Sequence, residues 1–132
     1  MFRLQFAPKT DLAALILRIS LGSMFFLHGI GKPMVVGMET ISRNFIERGL
    51  SVWLAYATVP IEVIGGILLI LGIYVRQVAL VFMPLSIGII MAHVKYGWVF
   101  SVQGGGWEYP QLILVSAIIL FLIGGGKYGI TK

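Results

Sequence analysis

The sequence predicts an all-α fold, an integral membrane four-helix bundle, on three observations. Of its 132 residues 58% are hydrophobic and 11% charged, whereas soluble domains carry about 25% charged residues. Mean hydropathy is +0.97. The apolar residues also gather in four runs, over 12–31, 52–74, 78–98 and 111–126. Each is near the ~20 residues that cross a hydrocarbon core of ~30 Å, the last somewhat short. Little chain lies outside these runs. The expectation is therefore one transmembrane domain over 1–132, embedded in a lipid bilayer, with no soluble catalytic module and no nucleic-acid partner.

The first run follows the basic residues Arg3 and Lys9, as a signal peptide would. Its apolar stretch is longer than an ordinary h-region, contains Arg18 and lacks an Ala-x-Ala-like cleavage site, so it reads as a retained helix. Thr10 or Asp11 is placed to cap it, and Asp11 suits the positive end of the helix dipole. Pro33, just after Gly31-Lys32, is expected to stop it. In 38–50, Met38, Ile41 and Phe45 recur at spacing three and four, while Glu39, Arg43, Glu47 and Arg48 take other faces. That pattern predicts a short amphipathic helix at the membrane interface; an ordinary connection packed on the bundle fits it equally.

Only Val75-Arg76-Gln77 separates the second run from the third, so these two helices should be antiparallel neighbours. Pro60 and Pro84 lie inside them as tolerated kinks. Gly65-Gly66 and Gly72 suit close helix packing. Pro110 stands at a plausible first position of the fourth helix, and Gly124-Gly125-Gly126 ends it. Gly104-Gly105-Gly106 lacks the strand and the lysine of a phosphate-binding P-loop.

An even number of spans puts both termini on one side, with Arg3, Lys9, Arg76, Lys127 and Lys132. Lys32, Arg43, Arg48 and Lys95 fall on the other. The imbalance leans toward cytoplasmic termini in a bacterial inner membrane. The chain has no cysteine, which excludes disulfides, thiolate nucleophiles and thiol relays within it. A redox role would need a bound cofactor or a partner.

Five ionisable residues, His28, Lys32, Glu62, His93 and Glu108, lie in or at the ends of these runs. A charge near the bilayer centre costs at least roughly 2.5–3.5 kcal/mol, so such groups usually face one another or a wet cavity. At ~1.5 Å of rise per residue, His28 sits ~24 Å, Glu62 ~18 Å, His93 ~22 Å and Lys32 ~30 Å from the terminal side. Glu108 lies at the outer mouth of the fourth helix. All five thus belong to the half of the membrane away from the termini. Arg18 comes out at only ~9 Å; it could reach toward Glu62, but snorkelling to the nearer interface is the simpler account.

Such a cluster admits several chemistries. Two imidazoles and two carboxylates suit zinc or ferrous iron, with His28, His93 and Glu62 as ligands. Against a metal, they are scattered and show no His-x-x-x-His spacing. Histidine and carboxylate also suit a quinone headgroup and its protons. Phe25, Phe26, Trp98, Trp107 and Tyr109 lie at the right level to line its pocket. An anion site at Lys32 is a third option, and a polar network that only sets helix register is a fourth. Trp98, Trp107 and Tyr109 would also sit where an interfacial aromatic belt puts them.

Several segments carry a family resemblance. Leu-Arg-Ile-Ser-Leu-Gly and Phe-Phe-Leu-His-Gly-Ile-Gly-Lys within 17–32 resemble the opening helix of the DoxX family of small four-helix membrane proteins. Val-Pro-Ile-Glu-Val-Ile-Gly-Gly over 59–66, continuing to Arg76, is similar to its second helix. Gly-Gly-Trp-Glu-Tyr-Pro over 105–110 resembles the loop before its last helix. Gly-Gly-Gly-Lys-Tyr-Gly-Ile over 124–130 resembles its closing turn, with Gly125 where a proline is common.

The resemblance implies four transmembrane helices, with the five polar residues at the family's polar positions. Its name comes from a subunit associated with thiosulfate:quinone oxidoreduction, and other members are linked to oxidative-stress complexes. It thus implies a quinone-linked redox or oxidative-stress accessory subunit, at most one part of an oxidoreductase, with a membrane or peripheral redox partner. The alternative is a non-enzymatic scaffold or assembly factor. A transporter is the poorer third, because so short a chain would need a homo-oligomer to form a path.

Overall fold

The computed structural model describes residues 9–131. Arg3 and Lys132, counted above for orientation, lie outside them. Among the described residues the architecture is all-helical, with no strand. Its five helices are α1 (Thr10–Gly31), α2 (Met38–Glu47), α3 (Val52–Leu71), α4 (Val75–His93) and α5 (Glu108–Ile123). Three of them, α1, α3 and α4, are long and apolar enough to cross a membrane. The 16 residues of α5 rise only about 24 Å.

Several boundaries correct the sequence reading. The first α-helix ends at Gly31, ahead of Pro33 as expected, but the chain stays helical in a π-turn over Lys32–Val36. A proline in the first turn of that segment needs no N–H partner. The turn closes when Gly37 N–H donates to Lys32 O at 2.8 Å. Neither Thr10 nor Asp11 caps α1, which begins at Thr10 without a side-chain cap. The Asp11 carboxylate instead accepts the Lys127 backbone N–H at 2.9 Å.

The second helix ends at Leu71 rather than Tyr74 because Gly72 takes a left-handed φ of 72°. Gly72 N–H then donates to Leu69 O at 3.1 Å and Ile73 N–H to Leu68 O at 2.8 Å, the paired bonds of a Schellman end. The connection is therefore Gly72-Ile73-Tyr74, and Val75-Arg76-Gln77 is the first turn of α4. The last helix likewise starts at Glu108, which puts Pro110 third in it. The segment over 38–50 is helical as expected, and α2 packs against α3. Met38, Ile41 and Phe45 are half-buried there, while Glu39, Arg43 and Glu47 are exposed.

Two antiparallel pairs make the bundle, α1 with α3 and α4 with α5. Glycine lets the first pair approach closely. A Cβ at Gly22 would lie 2.7 Å from Gly66 O, and one at Gly66 would lie 2.6 Å from Gly22 O. The pairs meet where Phe25 stacks on Phe82, ring centroids 3.8 Å apart, inside a core with Leu21, Leu69, Ala117 and Leu120. Although α3 and α4 are antiparallel and consecutive, they touch little. An apolar groove of about 510 Å³ separates them.

Candidate polar site

α1 and α3 run side by side so that Gly29 faces Glu62 and Val63. Lys32, one residue past the end of α1, then reaches across to α3. Its Nζ lies 2.8 Å from Glu62 Oε2 and donates to Thr58 Oγ1 at 3.3 Å. The Thr58 hydroxyl in turn donates to Ala55 O at 2.9 Å. The Glu62 side chain is 3% exposed and that of Lys32 21% exposed. A carboxylate is thus sealed in an apolar bundle, with its counter-charge at the boundary. Beyond that ammonium, Glu62 Oε2 has no hydrogen-bond partner.

His28 lies one turn before Lys32, where α1 runs on into the π-turn and the two share a face. Its Nδ1 is 3.0 Å from Met24 O and the residue is exposed. A carbonyl only accepts, so Nδ1 carries a proton in that bond. Nε2 is then the outward atom, an acceptor when the ring is neutral and a donor when it is protonated.

His93 and Glu108 belong to a different neighbourhood. His93 closes α4 with its Nδ1 2.7 Å from Ile89 O. Its ring sits beside the 97–108 loop, 3.6 Å from where a Gly105 Cβ would be. In that loop Trp107 N–H donates to Gly97 O at 3.1 Å and Glu108 N–H to Trp98 O at 3.0 Å. Glu108 Oε1 accepts the Phe100 N–H at 3.0 Å. Trp98 and Trp107 meet edge to face at 4.6 Å, and Tyr109 sits 5.4 Å from Phe100.

The five residues thus share one end of the bundle in two groups, His28, Lys32 and Glu62 on α1 and α3, and His93 and Glu108 beside the last loop. No hydrogen bond or ion pair joins the groups among the described residues. The candidate metal set of His28, Glu62 and His93 is not assembled, and no three His, Cys, Asp or Glu residues described come together to hold a metal. Phe25 belongs to the core rather than to a pocket.

Arg18 does not snorkel. It is buried, 2% exposed, and its guanidinium donates to the carbonyls of Leu69 at 3.1 Å, of Ile70, and of Tyr128 at 2.7 Å. Leu69 and Ile70 lie in the last turn of α3, whose carbonyls have no intrahelical partner. An arginine there also faces the negative end of the α3 dipole.

The DoxX family model matches residues 13–95, from the start of α1 through α4. A relative from Bacillus subtilis (strain 168), "Putative oxidoreductase CatD", is 36% identical over 114 residues, covering 86% of this chain and 81% of its own length. The chain belongs to the DoxX family. With three helices long and apolar enough to cross a bilayer, this DoxX chain is a multi-pass membrane protein. No solved structure matches it.

The match covers His28, Lys32, Glu62 and His93, while Glu108 lies beyond it. In this DoxX chain the polar centre has one member the sequence reading passed over. Thr58, four residues before Glu62 on α3, shares its face, a spacing that marks such neighbours in any helix.

Proposed function

We propose that this chain is a four-span subunit of a quinone-linked redox or oxidative-stress assembly in the bacterial inner membrane, with cytoplasmic termini. In this reading His28, Lys32 and Glu62 form its headgroup and proton site, and His93 and Glu108 flank it. The observation that carries the reading is the Lys32–Glu62 pair, 2.8 Å apart, sealed on the Glu62 side and open on the Lys32 side. The relative named as an oxidoreductase supports it.

The residues present fit a quinone carbonyl. Lys32 is a donor at the bundle surface, His28 Nε2 becomes one when its ring is protonated, and Glu62 Oε2 has spare acceptor capacity behind them. A bound quinone supplies two-electron, two-proton exchange, and the electrons come from a partner because the chain has no thiol. The protein's part is to hold the carbonyl and exchange protons at His28 Nε2 and, through Lys32, at Glu62.

Quinone co-extracted with the full chain from membranes tests this. About one quinone per chain is expected for the wild type, lost in His28→Ala and Glu62→Gln variants that keep their helicity. Preparations without quinone would remove the reading.

A second reading, a membrane scaffold for a partner protein, is favoured by one observation. Glu62 is already closed by Lys32, as expected of a pair that sets the register of α1 on α3. Under it, the same variants shed a co-purifying partner and no quinone is found.

A further inference from the structure

A second polar feature lies at the opposite end of the bundle, where Gly126 contacts Asp11. A cavity of about 540 Å³ opens there between the first turn of α4 and the segment after α5. Its walls include Tyr74, Arg76, Gln77, Lys127, Thr131 and residues 124–126, and among the described residues no acidic side chain. The nearby Asp11 is engaged by the Lys127 backbone N–H and does not line it.

The donors on these walls are largely unspent. Arg76 lies over Gly124, with Nε 3.0 Å from where a Cβ would be. Its only hydrogen bond among the described residues is a long one, 3.4 Å to Leu122 O, so most of its N–H fork remains available. The Lys127 ammonium sits 5.1 Å from the Tyr128 ring, and no carboxylate pairs with it among the described residues. Thr131 Oγ1 accepts the Tyr74 N–H at 2.7 Å, which leaves its own proton to donate.

We propose that this cavity binds a phosphate group, carried by an anionic lipid headgroup or as the free anion. A guanidinium fork and an ammonium are the side chains that pair best with phosphate oxygens. The cavity lies at the ends of spanning helices, the depth of lipid headgroups, and Tyr74 and Tyr128 are exposed there as interfacial aromatics are. Basic pockets between such helices take acidic headgroups. The site is separate from the Lys32–Glu62 pair, and its fate does not depend on the redox reading.

Native mass spectrometry of the full chain in neutral detergent tests it, with phosphatidylglycerol or phosphatidylcholine titrated in. Saturable binding of one phosphatidylglycerol is expected, weakened about tenfold by Arg76→Gln and by Lys127→Gln. Arg48→Gln removes the same charge outside the cavity and should change binding less than about twofold. The Lys127 side chain makes no hydrogen bond among the described residues, so that variant separates binding from folding, and circular dichroism checks the Arg76 variant. Inorganic phosphate distinguishes the sources. Competition assigns the site to the free anion, and its failure assigns it to the lipid. Equal binding of both lipids, or equal weakening by all three variants, would overturn the proposal.

Discussion

Arg18 donates a 2.7 Å hydrogen bond to the carbonyl of Tyr128, 110 positions later in the chain. The same guanidinium holds the Leu69 and Ile70 carbonyls at the end of α3, so one buried cation ties three segments together. Arg18→Met would leave the Ile70 and Tyr128 carbonyls without their donor and Leu69 O with the Gly72 N–H alone. Each hydrogen bond to a charged group contributes about 1.5–3 kcal/mol, and the combined loss should be about 3–5 kcal/mol because the bonds share one side chain. The unfolding midpoint in detergent should fall accordingly. Arg18→Lys should recover only part, since an ammonium lacks the planar fork.

The glycines make opposite predictions. A methyl at Gly66 would meet Gly22 O at 2.6 Å, a backbone atom that cannot swing away. Gly66→Ala should force α1 and α3 apart and cost about 1–3 kcal/mol. At Gly88 in α4 a Cβ meets nothing within 4 Å. Gly88→Ala should therefore be neutral or stabilising by up to about 1 kcal/mol, through the better helix propensity of alanine. Thermal unfolding of both variants in one detergent decides the pair; equal midpoints would sink it.

What was legible in the sequence follows from the range of each signal. Helix positions came from hydropathy, which sums over many residues, and the Met38–Ile41–Phe45 spacing located α2. Helix ends depend on single backbone angles. The left-handed Gly72 ended α3 three residues before the apolar run did, because Ile73 and Tyr74 are apolar but lie beyond the turn. Depth along a span put the five polar residues at one end, but depth carries no information about azimuth. Hence Lys32 and Glu62 meet while His93 and Glu108 attend to the last loop. Arg18 was misread for a related reason. Its acceptors are backbone carbonyls of α3 and the tail, which leave no residue-type signature.

The ion pair should behave asymmetrically. Removing Lys32 strands a carboxylate that is 3% exposed, whereas removing the Glu62 charge leaves an ammonium that is 21% exposed and can reach the boundary. Lys32→Met should cost about 3–5 kcal/mol, the range for a buried charge that loses its partner. Glu62→Gln should cost about 1–2 kcal/mol, the scale of one charge-assisted hydrogen bond. The double variant should be more stable than Lys32→Met alone. A cycle of equilibrium unfolding measurements gives the coupling. Additive losses would mean the two groups do not interact as their distance implies.

Glu108 offers the sharpest separation between a loop fastener and a proton-exchanging group. Its Oε1 accepts the Phe100 N–H at 3.0 Å, a task the amide oxygen of glutamine performs equally well. If that bond is its whole contribution, Glu108→Gln should leave the Phe100 amide as protected from hydrogen exchange as in the wild type. Glu108→Ala would then raise that exchange about fivefold, the equivalent of about 1 kcal/mol for one lost hydrogen bond. The effect should be local, because Trp107 N–H and Glu108 N–H still hold Gly97 O and Trp98 O. A proton-exchanging role predicts the same protection in Glu108→Gln but loss of bound quinone in both variants. Measuring amide exchange and bound quinone on the same two variants therefore assigns Glu108 either to the loop or to the site around Glu62.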